Sequence, residues 1–65
     1  MIKQTYFNGG GFDQISAIAN ANQQADQFID QGKGKRKEIS RTFITFSENG
    51  AFYTATLQLN YETTD

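Results

Sequence analysis

Asn49-Gly50 stands between two runs of β-type residues, 38–47 and 51–61, and no other dipeptide in the chain constrains the fold as strongly. Both residue types tolerate the positive φ of a tight two-residue turn, so residues 38–61 are expected to form a β-hairpin. Upstream the apolar period is helical. Ile15, Ile18, Asn22, Ala25 and Ile29 recur at alternating steps of three and four, and Phe12, Ala19 and Phe28 widen the stripe. Asp13 lies where a carboxylate accepts from first-turn N–H groups, and Gly32 where helices commonly stop, which places a helix over residues 12–31. Residues 2–7 read as a strand that Asn8-Gly9-Gly10-Gly11 brings to a close. The resulting order is βαββ, an α+β class fold with one long helix packed on a three-stranded antiparallel-type sheet. All of it forms one domain over residues 1–65, with a basic loop at 32–37, a first strand that fits either sheet edge, and a tail, 62–65, expected to fray.

A two-residue turn at Asn49-Gly50 fixes a register. It pairs Phe46 with Tyr53, Ile44 with Ala55, Thr42 with Leu57 and Ser40 with Leu59 on the face that receives the helix. The other face then carries Thr45 with Thr54, Phe43 with Thr56, Arg41 with Gln58 and Ile39 with Asn60, with Ser47 and Phe52 near the turn. One helix covers one side of a small sheet, so Phe43, Phe52 and Ile39 are expected to leave an apolar patch. A chain of 65 residues with no cysteine has no disulfide to support so small a core, which leaves self-association as the common remedy. The expected assembly is a homo-oligomer.

Catalysis is disfavoured by what is missing. Without histidine or cysteine the chain lacks the usual general base near neutral pH, the usual nucleophile pairs and the commonest transition-metal ligands. The acids Asp13, Asp26, Asp30, Glu38, Glu48, Glu62 and Asp65 are scattered, with no acid/base or metal-binding spacing, so neither an enzyme nor a metal or cofactor protein is expected. A formal charge of -1 argues against a general nucleic-acid binder, and no sequence-specific nucleic-acid partner is expected. No apolar run approaches the roughly 20 residues of a membrane span, and Met1-Ile2-Lys3-Gln4 lacks the apolar stretch of a signal peptide. The expectation is a soluble, cytoplasmic protein with no membrane partner.

Several motifs carry binding chemistry, each with a plainer alternative. Glycines ahead of a helix let backbone N–H groups approach an anion, and Gly10 and Gly11 are the candidates here; a simple strand-to-helix turn explains the same residues. Lys33, Lys35, Arg36 and Lys37 can neutralise phosphates or form a solvated loop at a helix C-terminus. Arg41, within a strand beside Phe43, can hold a planar base or a phosphate, or pair with Glu38 or Glu62. Tyr6, Phe7, Tyr53 and Tyr61 offer stacking surface or core. Asn22 interrupts the helix stripe, either to set register between paired helices or because it lies at the stripe's edge. The glycine turn and the basic loop lie at opposite helix ends, roughly 30 Å apart for a 20-residue helix, so a site using both forms between subunits.

The strand, helix and hairpin order with Asn49-Gly50 at the tip resembles dodecins. That likeness implies an oligomeric βαββ assembly, with Gln58 and the strand aromatics as counterparts of the flavin-stacking residues, although the Trp and His of dodecins are lacking. The ending from Phe52 to Tyr61 is similar to that of short sporulation-associated proteins recurring in phages of Gram-positive bacteria. In size and polar composition the chain also resembles small phage proteins that sequester nucleotide immune signals between subunits, which implies host-cell cytoplasm and an anti-defence role. The leading expectation is a non-enzymatic homo-oligomer binding a phosphate-bearing ligand such as a nucleotide at its interfaces. Gly10 and Gly11 then supply backbone N–H groups, Arg36 and Arg41 phosphate or base contacts, and Tyr6 and Phe43 stacking. The alternative is a protein-interaction module, such as a small phage inhibitor of a host protein.

Overall fold

A computed structural model describes residues 1–64 of the chain. Four elements follow in order: β1 (Ile2–Gly11), α1 (Gln14–Gln31), β2 (Arg36–Asn49) and β3 (Phe52–Thr63). They form the expected βαββ fold, one helix on a three-stranded antiparallel sheet. Strand order β1-β3-β2 puts β3 in the centre and β1 at the edge beside it, which settles the position of the first strand. The sheet is long and narrow, within extents of 42 × 18 × 13 Å.

The helix is built from its ends inward. Asp13 is the N-cap, in extended backbone, and its Oδ1 accepts the Ser16 N–H at 2.7 Å. Phe12 lies before the helix rather than in it. At the other end Gly32 is the C-cap in ordinary right-handed geometry, and the reversal is made by Lys33 and Gly34, at φ 52 and 88. The first-turn and last-turn residues carry no helpful charge, so the cap and the packed face hold the helix.

That face shares Ala25, Phe28 and Ile29 with the expected stripe but differs from it in the first half of the helix. The buried positions are Ala17, Ala21 and Ala25, one per turn, whereas Ile15 is 79% exposed. The cause lies in β1. A Cβ on Gly9 would sit 2.3 Å from the Ala21 nitrogen and 2.4 Å from the Ala17 oxygen, so the helix backbone rests directly on the strand there. Only small residues permit that approach, and the helix turns its alanines down to achieve it. For the same reason the glycines do not close the strand. Asn8, Gly9, Gly10 and Gly11 continue β1, paired with Thr56, Ala55, Thr54 and Tyr53.

The core is small. Leu57 and Leu59 are its fully buried large side chains, joined by Ala55 and Tyr61 on the same face of β3. Phe7, Phe28, Ile29 and Phe43 pack around them, with the Phe28 ring 5.5 Å from Phe7 and 5.0 Å from Tyr61. Phe7 and Tyr61 thus take the core role. Glu62 and Thr63 belong to β3, and the Thr64 N–H donates to the Lys35 carbonyl at 3.2 Å, so those three residues are tied down rather than frayed; Asp65 lies outside the described residues.

The hairpin register departs from expectation from the turn down to Ser40. Asn49 pairs with Phe52, and the turn is Gly50-Ala51, with Gly50 at φ 66 in the first turn position. Pairing therefore begins two positions from the expected register, and irregularities between Glu38 and Ser40 and between Phe43 and Thr45 bring it back at the base. On the helix side Phe46 meets Ala55, Phe43 meets Leu57, Arg41 meets Leu59 and Glu38 meets Tyr61. The outer side pairs Asn49 with Phe52, Ser47 with Thr54, Thr45 with Thr56, Thr42 with Gln58 and Ser40 with Asn60. Ile39 and Ile44 fall at the two irregularities and lie outside the ladder. The insertion at Ile44 moves Phe43 and Arg41 from the expected outer face to the helix side, and the one at Ile39 returns the strand to its expected face. β2 also begins at Arg36, which shortens the basic loop.

Candidate functional site: an uncovered strip and two engaged arginines

The two sheet faces have different chemistry. The outer face is a ladder of hydroxyls and amides, cross-linked by its own hydrogen bonds: Gln4 Nε2 donates to Asn60 Oδ1 at 3.1 Å, Asn60 Nδ2 to Ser40 Oγ at 3.0 Å and Thr56 Oγ1 to Asn8 Oδ1 at 2.8 Å. Tyr6 stands among them, 51% exposed, donating its hydroxyl to Gln4 Oε1 at 3.0 Å. The apolar patch expected there is confined to the hairpin end. Phe52 lies over Gly10, where an added Cβ would come within 2.6 Å of its ring, and packs edge-on against Phe12 at 5.7 Å.

On the other face the helix covers β1 and β3 and barely reaches β2. Phe43 and Phe46 form a stacked pair, 5.7 Å between ring centres, at the margin of this cover. Phe46 is 53% exposed. They form an uncovered apolar strip along the helix side of β2. Sequence reasoning missed this strip because the bulges that create it leave no mark in a period of two.

Arg41 bridges the gap between β2 and the helix. Its Nε and Nη2 grip the Glu38 carboxylate at 3.0 and 2.5 Å; Nη2 also donates to Asp26 at 2.8 Å, and Nη1 to Asn22 Oδ1 at 3.0 Å and to the Asn22 carbonyl at 3.4 Å. Glu38 foremost, and Asp26, push its pKa further up against the opposing cost of burial. Asn22 therefore serves this arginine. Arg36 serves the helix end: its guanidinium lies 4.0 Å over the Phe28 ring, and Nη1 donates to the Phe28 carbonyl at 2.6 Å. A cation holding a last-turn carbonyl stabilises the helix C-terminus.

The candidate residues thus divide. Arg36, Arg41, Phe43 and Gly11 lie on the helix side, Gly11 with its Cβ position 2.6 Å from Ser16; Tyr6 and Gly10 lie on the outer side. Within one copy the near neighbours are Arg41 and Phe43 along β2 and the consecutive Gly10 and Gly11 at the end of β1. At the hairpin end, Tyr53 hydrogen-bonds to Glu48, and this bond, partial burial and the charge of Asp13 raise its pKa. Among the described residues there is no enclosed pocket, no cluster of side chains with metal-ligand geometry, and no helix long and apolar enough to cross a membrane. No family model, curated protein or solved structure matches the chain.

Proposed function

We propose that this chain is a non-catalytic binding protein that works as a homo-oligomer and holds a phosphate-bearing small ligand, foremost a nucleotide, between its subunits. The uncovered strip of Phe43 and Phe46 carries the reading, because large apolar side chains on the covered side of a sheet call for a partner. A single copy offers a ligand no enclosing walls, so an interface is the place where affinity can arise.

The ligand contacts are distributed differently from the simplest expectation. Arg41 and Arg36 are bonded within the chain, so their role is to shape the surface, while Lys33 and Lys37 at the basic end are the leading phosphate contacts and Tyr6 the leading exposed ring. In the setting implied by the likeness to small phage proteins, such a protein acts as an anti-defence sponge, for which affinity and copy number suffice. A protein-interaction module is the second reading, favoured by the exposed Phe12 and Phe52 pair at the hairpin end.

Native mass spectrometry with ATP and cyclic dinucleotides as probes tests the proposal. An oligomer that retains nucleotide mass, and loses it when Lys33 and Lys37 are replaced by Ala, supports it. A monomer that retains no probe sinks it and favours the interaction module.

A further inference from the structure

Charge is distributed unevenly along the long axis. β2 alone spans about 43 Å at 3.3 Å per residue, close to the whole 42 Å length, so its two ends are the two ends of the molecule. The hairpin end holds Asp13 and Glu48, gathered around Tyr53, and the chain has no Lys or Arg between residues 4 and 32 or after 41. The loop end holds the Met1 amino group, Lys3, Lys33, Lys35, Arg36 and Lys37, against Asp30, Glu38 and Glu62 among the described residues. One end is acidic and the other basic, and the uncovered strip lies along the strand that joins them.

Resting on the homo-oligomer reading, we infer that the occupant of this strip is a second copy of the chain, laid antiparallel across a two-fold axis near the middle of β2. An axis between Thr42 and Phe43 brings the Phe43 and Phe46 rings of both copies to the centre. It also brings the hairpin end of one copy, where Glu48 pairs with Tyr53 on the helix side, to the loop end of the other, twice per dimer, so each acidic end lies against a basic one. Parallel alignment would set like charges together over the same apolar contact. Edge-to-edge extension of the sheet is opposed by the two irregularities in β2 and by its charged Lys37, Glu38 and Arg41, features that blunt a free edge. Association is therefore face to face. The two long cores lie side by side, and the cations of each copy stand beside the aromatic strip of the other.

Sedimentation velocity at low and high salt tests the arrangement, with far-UV circular dichroism to confirm that each variant folds. The wild type is expected to be a dimer whose affinity falls with salt. Glu48→Lys, and separately Lys33→Glu, each weaken it about tenfold at low salt, and an equimolar mixture of the two variants recovers the wild-type affinity. Lys37 pairs with Glu62 on the outer side of the sheet, so Lys37→Glu is run beside them and is expected to weaken the dimer less than Lys33→Glu does. Phe46→Asp yields monomer at both salt concentrations. A dimer indifferent to all three charge reversals, or an open-ended assembly, overturns the antiparallel arrangement and leaves the homo-oligomer reading standing. A wild-type monomer, including one that captures a different protein, overturns both.

Discussion

The two outer strands share one central strand, yet they solve the problem of the sheet edge in opposite ways. β1 pairs with β3 without interruption over ten residues, and its Gly9 admits the helix backbone into direct contact. β2 is longer, is broken twice by bulges, and keeps bulky side chains that the helix does not cover. Small residues close one side of the molecule within the chain, whereas large residues leave the other side open. The difference teaches that apolar bulk and apolar burial have been separated here. Alanines and a glycine make the contact between helix and β1, while Ile39, Ile44 and Phe46 of β2 are held at the surface.

The contrast can be broken most severely at Gly9. Replacement by Val drives a side chain into the Ala17 and Ala21 backbone, lifts the helix from β1, and is expected to cost more than about 3 kcal/mol, enough to unfold a domain this small in chemical denaturation. Leu57→Ala, which opens a cavity under both outer strands, is expected to cost about 2–5 kcal/mol by the same measurement. Phe46→Ser makes the opposite case, since a half-exposed ring adds little to the core; its denaturation midpoint at high dilution is expected to stay near that of the wild type, while the proposed oligomer is expected to dissociate.

Smaller effects sharpen the comparison at the junction of helix and sheet. Arg41→Met removes the bonds that tie β2 to the helix and is expected to cost about 1–2 kcal/mol, with hydrogen exchange accelerating in β2 before β1. Asp13→Asn tests the cap through pH. The Ser16 N–H lowers the Asp13 pKa in the folded state, so its stabilisation is complete above the unfolded carboxylate value and is lost as pH falls through the depressed one. The variant is therefore expected to show a flatter acid limb below about pH 4 in thermal unfolding. Smallest of all, Lys33→Gly relieves a left-handed backbone and is expected to stabilise by up to about 1 kcal/mol.

Much of this was legible one element at a time. Asp13 and Gly32 announced the helix ends, and Asn49-Gly50 announced a hairpin, because capping and turn formation act over a few residues. The strand faces were legible only in β3, where Ala55, Leu57 and Leu59 alternate without interruption and are all buried. In β2 a one-residue bulge costs little locally yet reverses every side chain beyond it, so the expected faces of Arg41 and Phe43 were exchanged. The helix stripe misled for a related reason. Hydropathy marks Ile15 and Ile18, but the distance of closest approach, set by Gly9 on another strand, selects the alanines. Of the candidate residues, Arg36 and Arg41 carried the right chemistry for an anion, and only three-dimensional neighbours show that Phe28, Glu38, Asp26 and Asn22 already hold them.

By itself the sequence determined the order and kind of elements, since strand, helix and turn depend on residues within reach along the chain. It also determined the scarcity of catalytic groups and the gathering of cations between residues 33 and 41. Only the tertiary structure decided which edge β1 takes, which helix face is buried, and which side of β2 carries the aromatics. Those choices rest on pairs of backbones far apart in the chain that must reach one distance together, and a glycine or a bulge in one segment changes what fits in the other.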